Sequence, residues 1–172
     1  ENGQKEWEEY YKDGKEVSQT DYYYYENGQI EAEVNWKDEK KDGKSTMWYE
    51  NGQIEYVGNY KDGKMDGKVT EWHENGQKHQ EKKFKDGKLE GKATVWYENG
   101  QKSAEENYKD GKQDGKITWW HENGQIKQES SYKDSKRDGK QTIWDENGQI
   151  EAEATFKDGE CVSGDCDYFK DW

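Results

Sequence analysis

Apolar residues in this chain come singly or in short alternating runs between polar ones. Val69-Thr70-Glu71-Trp72-His73 is rich in β-branched and aromatic residues and predicts a strand. Ile54 to Tyr60 predicts a second short strand of the same kind. Between such runs stands Asn-Gly, as in Glu74-Asn75-Gly76-Gln77. Asn-Gly flanked by β-formers signals a hairpin, because a type I′ turn needs positive φ at both central residues. The Lys-Asp-Gly-Lys-x-Asp-Gly stretches predict loops leading to the next hairpin.

The pattern is periodic. Glu-Asn-Gly-Gln begins at Glu1, Glu26, Glu50, Glu74, Glu98, Glu122 and Glu146, an interval of 25 residues and then five of 24. Counting from each Glu, position 11 is aromatic in every repeat (Tyr11, Trp36, Tyr60, Phe84, Tyr108, Tyr132, Phe156). Lys-Asp follows, usually with Gly, although Glu39 and Ser135 depart from this. An acidic-Gly-Lys triplet puts Gly43, Gly67, Gly91, Gly115 and Gly139 at position 18. Thr occupies position 21 and Trp position 23 (Trp48, Trp72, Trp96, Trp120, Trp144). A period of this size predicts an array whose units stack on their neighbours. The expected fold is all-β: an elongated, single-layer antiparallel meander of tandem 24-residue hairpins. It would run as one continuous array over residues 1–172, with an atypical cap at 157–172. Roughly 14 strands at ~4.8 Å each would span on the order of 60 Å. The first repeat opens in a turn whose preceding strand is missing, so an array extending upstream is expected. That repeat carries an extra residue, read as a bulge.

A type I′ turn would pair position 23 with position 6 of the next repeat, 21 with 8, and 18 with 11. The position-11 ring would then roof the position-18 glycine, with Tyr108 over Gly91. Positions 5, 7, 9, 11, 18, 20, 22 and 24 would share the more apolar face. The Trp of position 23, the Thr of position 21 and the Glu of position 8 would share the other.

Composition narrows the function. Ile, Val, Leu and Phe total 16, a level that alone suggests disorder, but 9 Trp and 13 Tyr supply large rings at fixed positions. Order in a thin fold without a deep core is therefore expected. Acidic residues outnumber basic ones 40 to 27, for a net charge of -13, and Arg137 is the sole arginine. That balance excludes nucleic acid as the main partner and favours a basic protein. No apolar run is long enough for membrane insertion as a helix. Lys and Glu along the sheet edges discourage self-pairing, so a monomer is expected.

These columns carry a resemblance. The Asn-Gly turn, the aromatic-Lys-Asp-Gly segment and the Gly-Lys-x-Thr-x-Trp strand look like the variant MORN repeat, over essentially the whole chain. That repeat is found in bacterial proteins grouped as antitoxins of the YwqK type. The ending Cys-Val-Ser-Gly-Asp-Cys looks like the C-terminal end of such proteins. The resemblance implies an elongated hairpin array, partner binding of the kind that neutralises a toxin, and no catalysis.

Three features could carry chemistry. Trp48, Trp72, Trp96, Trp120 and Trp144 are candidate partner-binding residues, able to grip an extended peptide or a glycan; the same row could simply shield the sheet. Alternate strands lie ~9.6 Å apart, so the rings must pack on intervening residues or receive a ligand. Cys161 and Cys166 are a candidate disulfide, which would imply an oxidising compartment and export. Asp62, Asp66 and Gly67 match part of a calcium loop, but Lys64 and His73 stand where ligands belong, so plain turns are expected. His73 and His121 share a column with Tyr49 and Tyr97, so His stands in for Tyr there. No catalytic residue, cofactor or metal is expected. A surface module binding glycan or choline-like groups through its aromatics, and a passive spacer, are the alternative functions.

Overall fold

A computed structural model describes residues 3–170; Glu1 and Asn2 of the first Asn-Gly motif, and the terminal Trp172, lie outside them. The chain forms two compact units, Glu1–Lys88 and Leu89–Trp172. Each is an antiparallel β-meander of hairpin repeats. In the first unit the strands Ile54–Lys61, Lys64–Met65, Gly67–Trp72 and Lys78–Lys85 follow one another and pair with their sequence neighbours. In the second, Lys102–Lys109, Gly115–Trp120, Ile126–Lys133, Gly139–Trp144 and Ile150–Lys157 do the same.

The two turn types exchange the roles expected of them. Asp62 and Gly63 both have positive φ (49° and 83°), and Lys61 pairs with Lys64 across them. The Asp-Gly dipeptide is thus the two-residue I′ turn, since only that geometry needs two consecutive positive φ values. Glu39 and Ser135 keep it despite their side chains, at φ 60° and 65°. In the Asn-Gly turn only the glycine has positive φ. Gly76 N donates to His73 O and His73 N to Gln77 O (both 2.8 Å), closing a longer loop. Asn75 Oδ1 accepts from Gln77 N at 2.9 Å, which holds the asparagine in this loop without positive φ.

The longer loop changes the register beside it. Thr70 pairs with Glu81 and Gly67 with Phe84, as position 21 with 8 and 18 with 11 require. Trp72, however, pairs with Lys78 rather than His79, after a register shift between Glu71 and Trp72. The same shift recurs at Trp96, Trp120 and Trp144. It moves position 5 onto the Trp face: Lys102 Nζ lies 2.7 Å from Glu105 Oε2 and 5.7 Å from the Trp120 ring centre. Position 5 therefore does not belong to the apolar face, because a one-residue bulge inverts the alternation beyond it. In the first repeat the register shifts between Tyr10 and Tyr11, leaving Val17 as the extra residue between Glu16 and Ser18.

The position-11 rings do not roof the position-18 glycines. A β-carbon on Gly91 would meet nothing within 4 Å, and one on Gly67 would meet Asn59 Cβ at 3.5 Å. These glycines are required instead by their positive φ, 75° at Gly91 and 107° at Gly67. They follow a bulged acidic residue: Asp66 N turns back to Asn59 O at 2.9 Å, as Asp114 N does to Asn107 O.

Burial is shallow but ordered. Ala32, Val34 and Val69 in the first unit, and Ala93, Ala104, Ile117, Ile143, Ala152 and Ala154 in the second, are buried on one face. The opposite face buries its threonines (Thr46 and Thr70; Thr94, Thr118 and Thr142) and carries the Lys–Glu ion pairs. The end of the second unit has the most compact core. Strand Glu160–Gly164 and the 3-10 helix Cys166–Phe169 fold so that Phe169 packs edge-on to Phe156 at 5.7 Å, beside Ile143, Ala152 and Ala154. Cys161 and Cys166 are joined as a disulfide there, with Cα atoms 5.7 Å apart.

Candidate functional site

All five Trp of position 23 are half-buried. Each ends a strand, and at Trp48, Trp72, Trp120 and Trp144 the preceding hairpin reaches the backbone. Tyr25 and Tyr49 donate their hydroxyls to Trp48 O and Trp72 O, and Tyr97 to Trp120 O, each at 2.6 Å. His121 Nε2 takes the same place beside Trp144 O at 3.0 Å, so an imidazole does replace the phenol in this column. Burial raises the pKa of Tyr25, Tyr49 and Tyr97 above the ordinary phenol value, which keeps these hydroxyls protonated as donors. The tethering role of position 24 was missed in the sequence, where that column reads only as a strand end.

Position 5 fills the gaps between the indoles. In the first unit the order across the face is Trp48, Ile54, Trp72, Lys78. In the second it is Trp96, Lys102, Trp120, Ile126, Trp144, Ile150. Lys102 pairs across the strands with Trp96, and its ammonium lies over Trp120, so it spans one gap as a cation–π contact. The isoleucines fill theirs with aliphatic surface that stays in solvent: Ile54 is 40% exposed, Ile126 37% and Ile150 58%. Beside this ribbon runs a ladder of ion pairs between position 19 and position 8: Lys68–Glu81 and Lys92–Glu105 at 2.7 Å, Lys116–Glu129 and Lys140–Glu153 at 2.5 Å. Glu105 also meets Lys102, and the two ammonium groups, Lys102 first, hold its carboxyl below the usual range.

The acidic-Gly segments have a structural task that their sequence did not disclose. Asp42 Oδ2 accepts from Asp62 N and Asp66 Oδ2 from Asp86 N, both at 3.1 Å; Glu90 Oε2 accepts from Asp110 N at 3.0 Å. Each carboxylate caps the I′ turn of the next repeat. Asp66, considered above as a calcium ligand, is engaged in this way. Among the described residues no cluster of three or more His, Cys, Asp or Glu is arranged to hold a metal ion. On the other turn row, Asn51 Nδ2 donates to Glu74 O (3.0 Å), and Asn99 and Asn123 repeat this with Glu122 O and Glu146 O. The Asn-Gly motif thus stitches one repeat to the next as well as turning the chain.

The sequence of this 24-residue unit matches the model of the MORN repeat variant over residues 22–38, 41–62, 65–86, 89–110, 113–134 and 137–158. The chain belongs to the MORN repeat variant family. Each matched MORN unit from residue 41 onwards ends at the Asp of an I′ turn, so the family's repeat spans one Asn-Gly loop and the strands on both sides of it. MORN arrays of this kind are repeat-based binding modules, generally without catalytic activity. No curated protein matches the chain. Among solved structures it is similar to a porin-like protein from Bacteroides uniformis, 10% identical over 84% of this chain and 86% of that one. The TM-score of 0.24 is too low to carry any argument.

Proposed function

We propose that the chain is a non-catalytic, protein-binding MORN array that docks a basic protein through its Trp ribbon, in the manner of an antitoxin holding its toxin. The observation that carries this reading is the interleaving of Trp120, Ile126, Trp144 and Ile150. Ile126 and Ile150 stand in solvent on rigid strands, flanked by half-buried indoles and a rim of paired charges. Aromatic and aliphatic anchors fixed in place, with polar groups around them, are what a partner's apolar side chains need to displace water with little loss of entropy. The net charge of -13 would speed encounter with a basic partner. A glycan or choline-like ligand on this same row fits less well, because Lys102 already occupies the cation position over Trp120 and Ile126 fills the next gap.

The test is to capture partners from extract with the native chain and with an Ile126→Asp/Ile150→Asp variant of unchanged circular dichroism, and then to rebuild the complex from purified proteins. A basic protein bound by the native chain, weakened at least tenfold in the variant and sensitive to salt, supports the reading. A purified complex indifferent to both substitutions would sink it.

A further inference from the structure

On the face opposite the Trp ribbon, the first unit carries a pocket of about 410 Å³, lined by Gln19, Asp21, Trp36, Lys37, Asp38 and Glu39. Four departures from the repeat meet there. Gln19 pairs with Trp36, where Gly43, Gly67 and Gly91 pair with the ring of position 11. Asp21, paired with Val34, heads the column of Ser45, Val69, Ala93, Ile117 and Gln141, all of which are buried. Trp36 is the one indole in a column otherwise of Tyr and Phe. Glu39 stands in a turn where five other repeats have glycine, and it keeps a φ of 60°. A side chain at positive φ costs stability, so the carboxylate is held there against the backbone's preference.

We infer that this pocket binds a guanidinium group, carried by a free alkylguanidine or by an arginine side chain, laid on Trp36 with its edge toward Asp21. Trp36 and Asp21 are diagonal neighbours on adjacent strands, within reach of one planar group. Trp36 Nε1 is buried without a hydrogen-bond partner, so the ring presents carbon rather than its N–H to the pocket. Lys41, whose ammonium lies 5.9 Å from the Trp36 ring centre and 5.4 Å from that of Tyr60, comes from the strand on the other side, Lys40–Trp48, and does not line the pocket. Gln19 Nε2 donates to Asp21 Oδ1, which orients the carboxylate and leaves the Gln19 carbonyl as a further acceptor. Asp38 and Glu39 add two carboxylates at the rim, against the one ammonium of Lys37. A wall of acceptors suits a group with five N–H donors and no acceptor. A guanidinium also stacks on aromatic faces and is more weakly hydrated than an ammonium, so it fits here better than a lysine or a polyamine. The volume falls in the range of small-ligand sites, roughly 300–1,000 Å³. The pocket shares no residue with the Trp ribbon, so its failure would leave the protein-docking reading untouched.

The experiment is titration of the full chain with agmatine and with the capped peptide Gly-Arg-Gly, followed by calorimetry and Trp fluorescence, beside putrescine and capped Gly-Lys-Gly as ammonium counterparts of equal charge. Saturable binding of a guanidinium probe is expected, at least tenfold tighter than its ammonium counterpart. The variants return a residue to what other repeats hold in the same column, so each is compatible with the fold. Asp21→Ala should weaken binding about tenfold, the loss of one charge-assisted contact. Glu39→Gly should weaken it about threefold while raising the melting temperature, a split that a purely structural role would not give. The fluorescence change should be absent from Trp36→Tyr. Glu31→Gln, which removes an exposed charge of the same unit, should leave binding unaltered. Agmatine bound without the peptide assigns the site to a free alkylguanidine; the peptide bound at least as tightly as agmatine assigns it to the arginine of a bound protein. Absence of saturable binding by both overturns the proposal, as does equal affinity for the ammonium counterparts. An equal loss in Glu31→Gln and Asp21→Ala, or a fluorescence change that persists in Trp36→Tyr, would likewise overturn it.

Discussion

The phenol of Tyr56 lies across Gly58, two residues further along the same strand, and its hydroxyl meets that of Tyr60 at 3.0 Å. A β-carbon on Gly58 would overlap the Tyr56 ring and hydroxyl. Burial, with the Tyr60 contact second, drives the Tyr56 pKa well above the ordinary phenol value. This is a ring over a glycine, but along one strand rather than across two. Gly58 does not have the positive φ of the turn glycines. In an open strand Gly58→Ala would therefore gain roughly 0.5–1 kcal/mol. Here it should lower stability by about 1 kcal/mol, because Tyr56 must leave its site. In a Tyr56→Ala background the same substitution should become stabilising. Urea melts of the four proteins of this cycle check the coupling, and additive effects would show that the ring does not constrain the glycine.

Gly91 makes the contrasting case. Its β-carbon position is open, and its φ of 75° alone demands glycine. Gly91→Val should cost about 1–2 kcal/mol, more than Lys92→Ala, while Gly91→Asn should cost much less, since Asn tolerates that conformation. Tyr108→Ala should give no relief to Gly91→Val. Relief in a thermal melt would restore the ring as the cause.

Glu39 and Ser135 hold positive φ without being glycine (60° and 65°). Glu39→Gly and Ser135→Gly should each raise stability by about 1 kcal/mol, the reverse of glycine's usual effect in a strand. Chemical denaturation measures this directly; a fall in the midpoint for both would mean that their side chains contribute more than the strain costs.

Gln141 occupies the column of Val69, Ala93 and Ile117, is 1% exposed, and neither its amide nitrogen nor its carbonyl oxygen has a hydrogen-bond partner. Its cross-strand partner is Ala154. A buried polar group left unpaired costs about 1–3 kcal/mol, so Gln141→Leu should raise the melting temperature. Unchanged or lower stability would indicate that the amide is satisfied in solution.

Glu105 should make the second unit acid-sensitive. Lys102 and Lys92 lower its folded pKa from the ordinary 4.5. A depressed carboxylate pKa contributes stability above the unfolded value and loses it as pH falls through the folded value. Glu105→Gln should therefore destabilise the chain at pH 7 and reduce the further loss seen on acidification below about pH 4.5. Melts across that window would refute the idea if native and variant lose stability in parallel.

How much of this was legible in the sequence depends on whether a neighbour in sequence or a neighbour in space sets the outcome. The 24-residue period, the strand positions, the pairing of Thr70 with Glu81 and the all-β class follow from local alternation and turn residues, and each repeat states them again. The tertiary structure decided the rest. Asn-Gly and Asp-Gly are both hairpin dipeptides, and only the closing hydrogen bonds, Gly76 to His73 and the Lys61–Lys64 pairing, settle which is the two-residue I′ turn. The resulting bulge beside Trp72 shifts Lys78, Lys102, Ile126 and Ile150 onto the Trp face, and no pairwise pattern in the sequence announces a one-residue shift. The tether from Tyr97 to Trp120 and the cap from Asp66 to Asp86 join residues 23 and 20 apart. Their partners become neighbours only when one repeat is laid against the next, so the sequence by itself determined the unit and the stacking determined the ribbon.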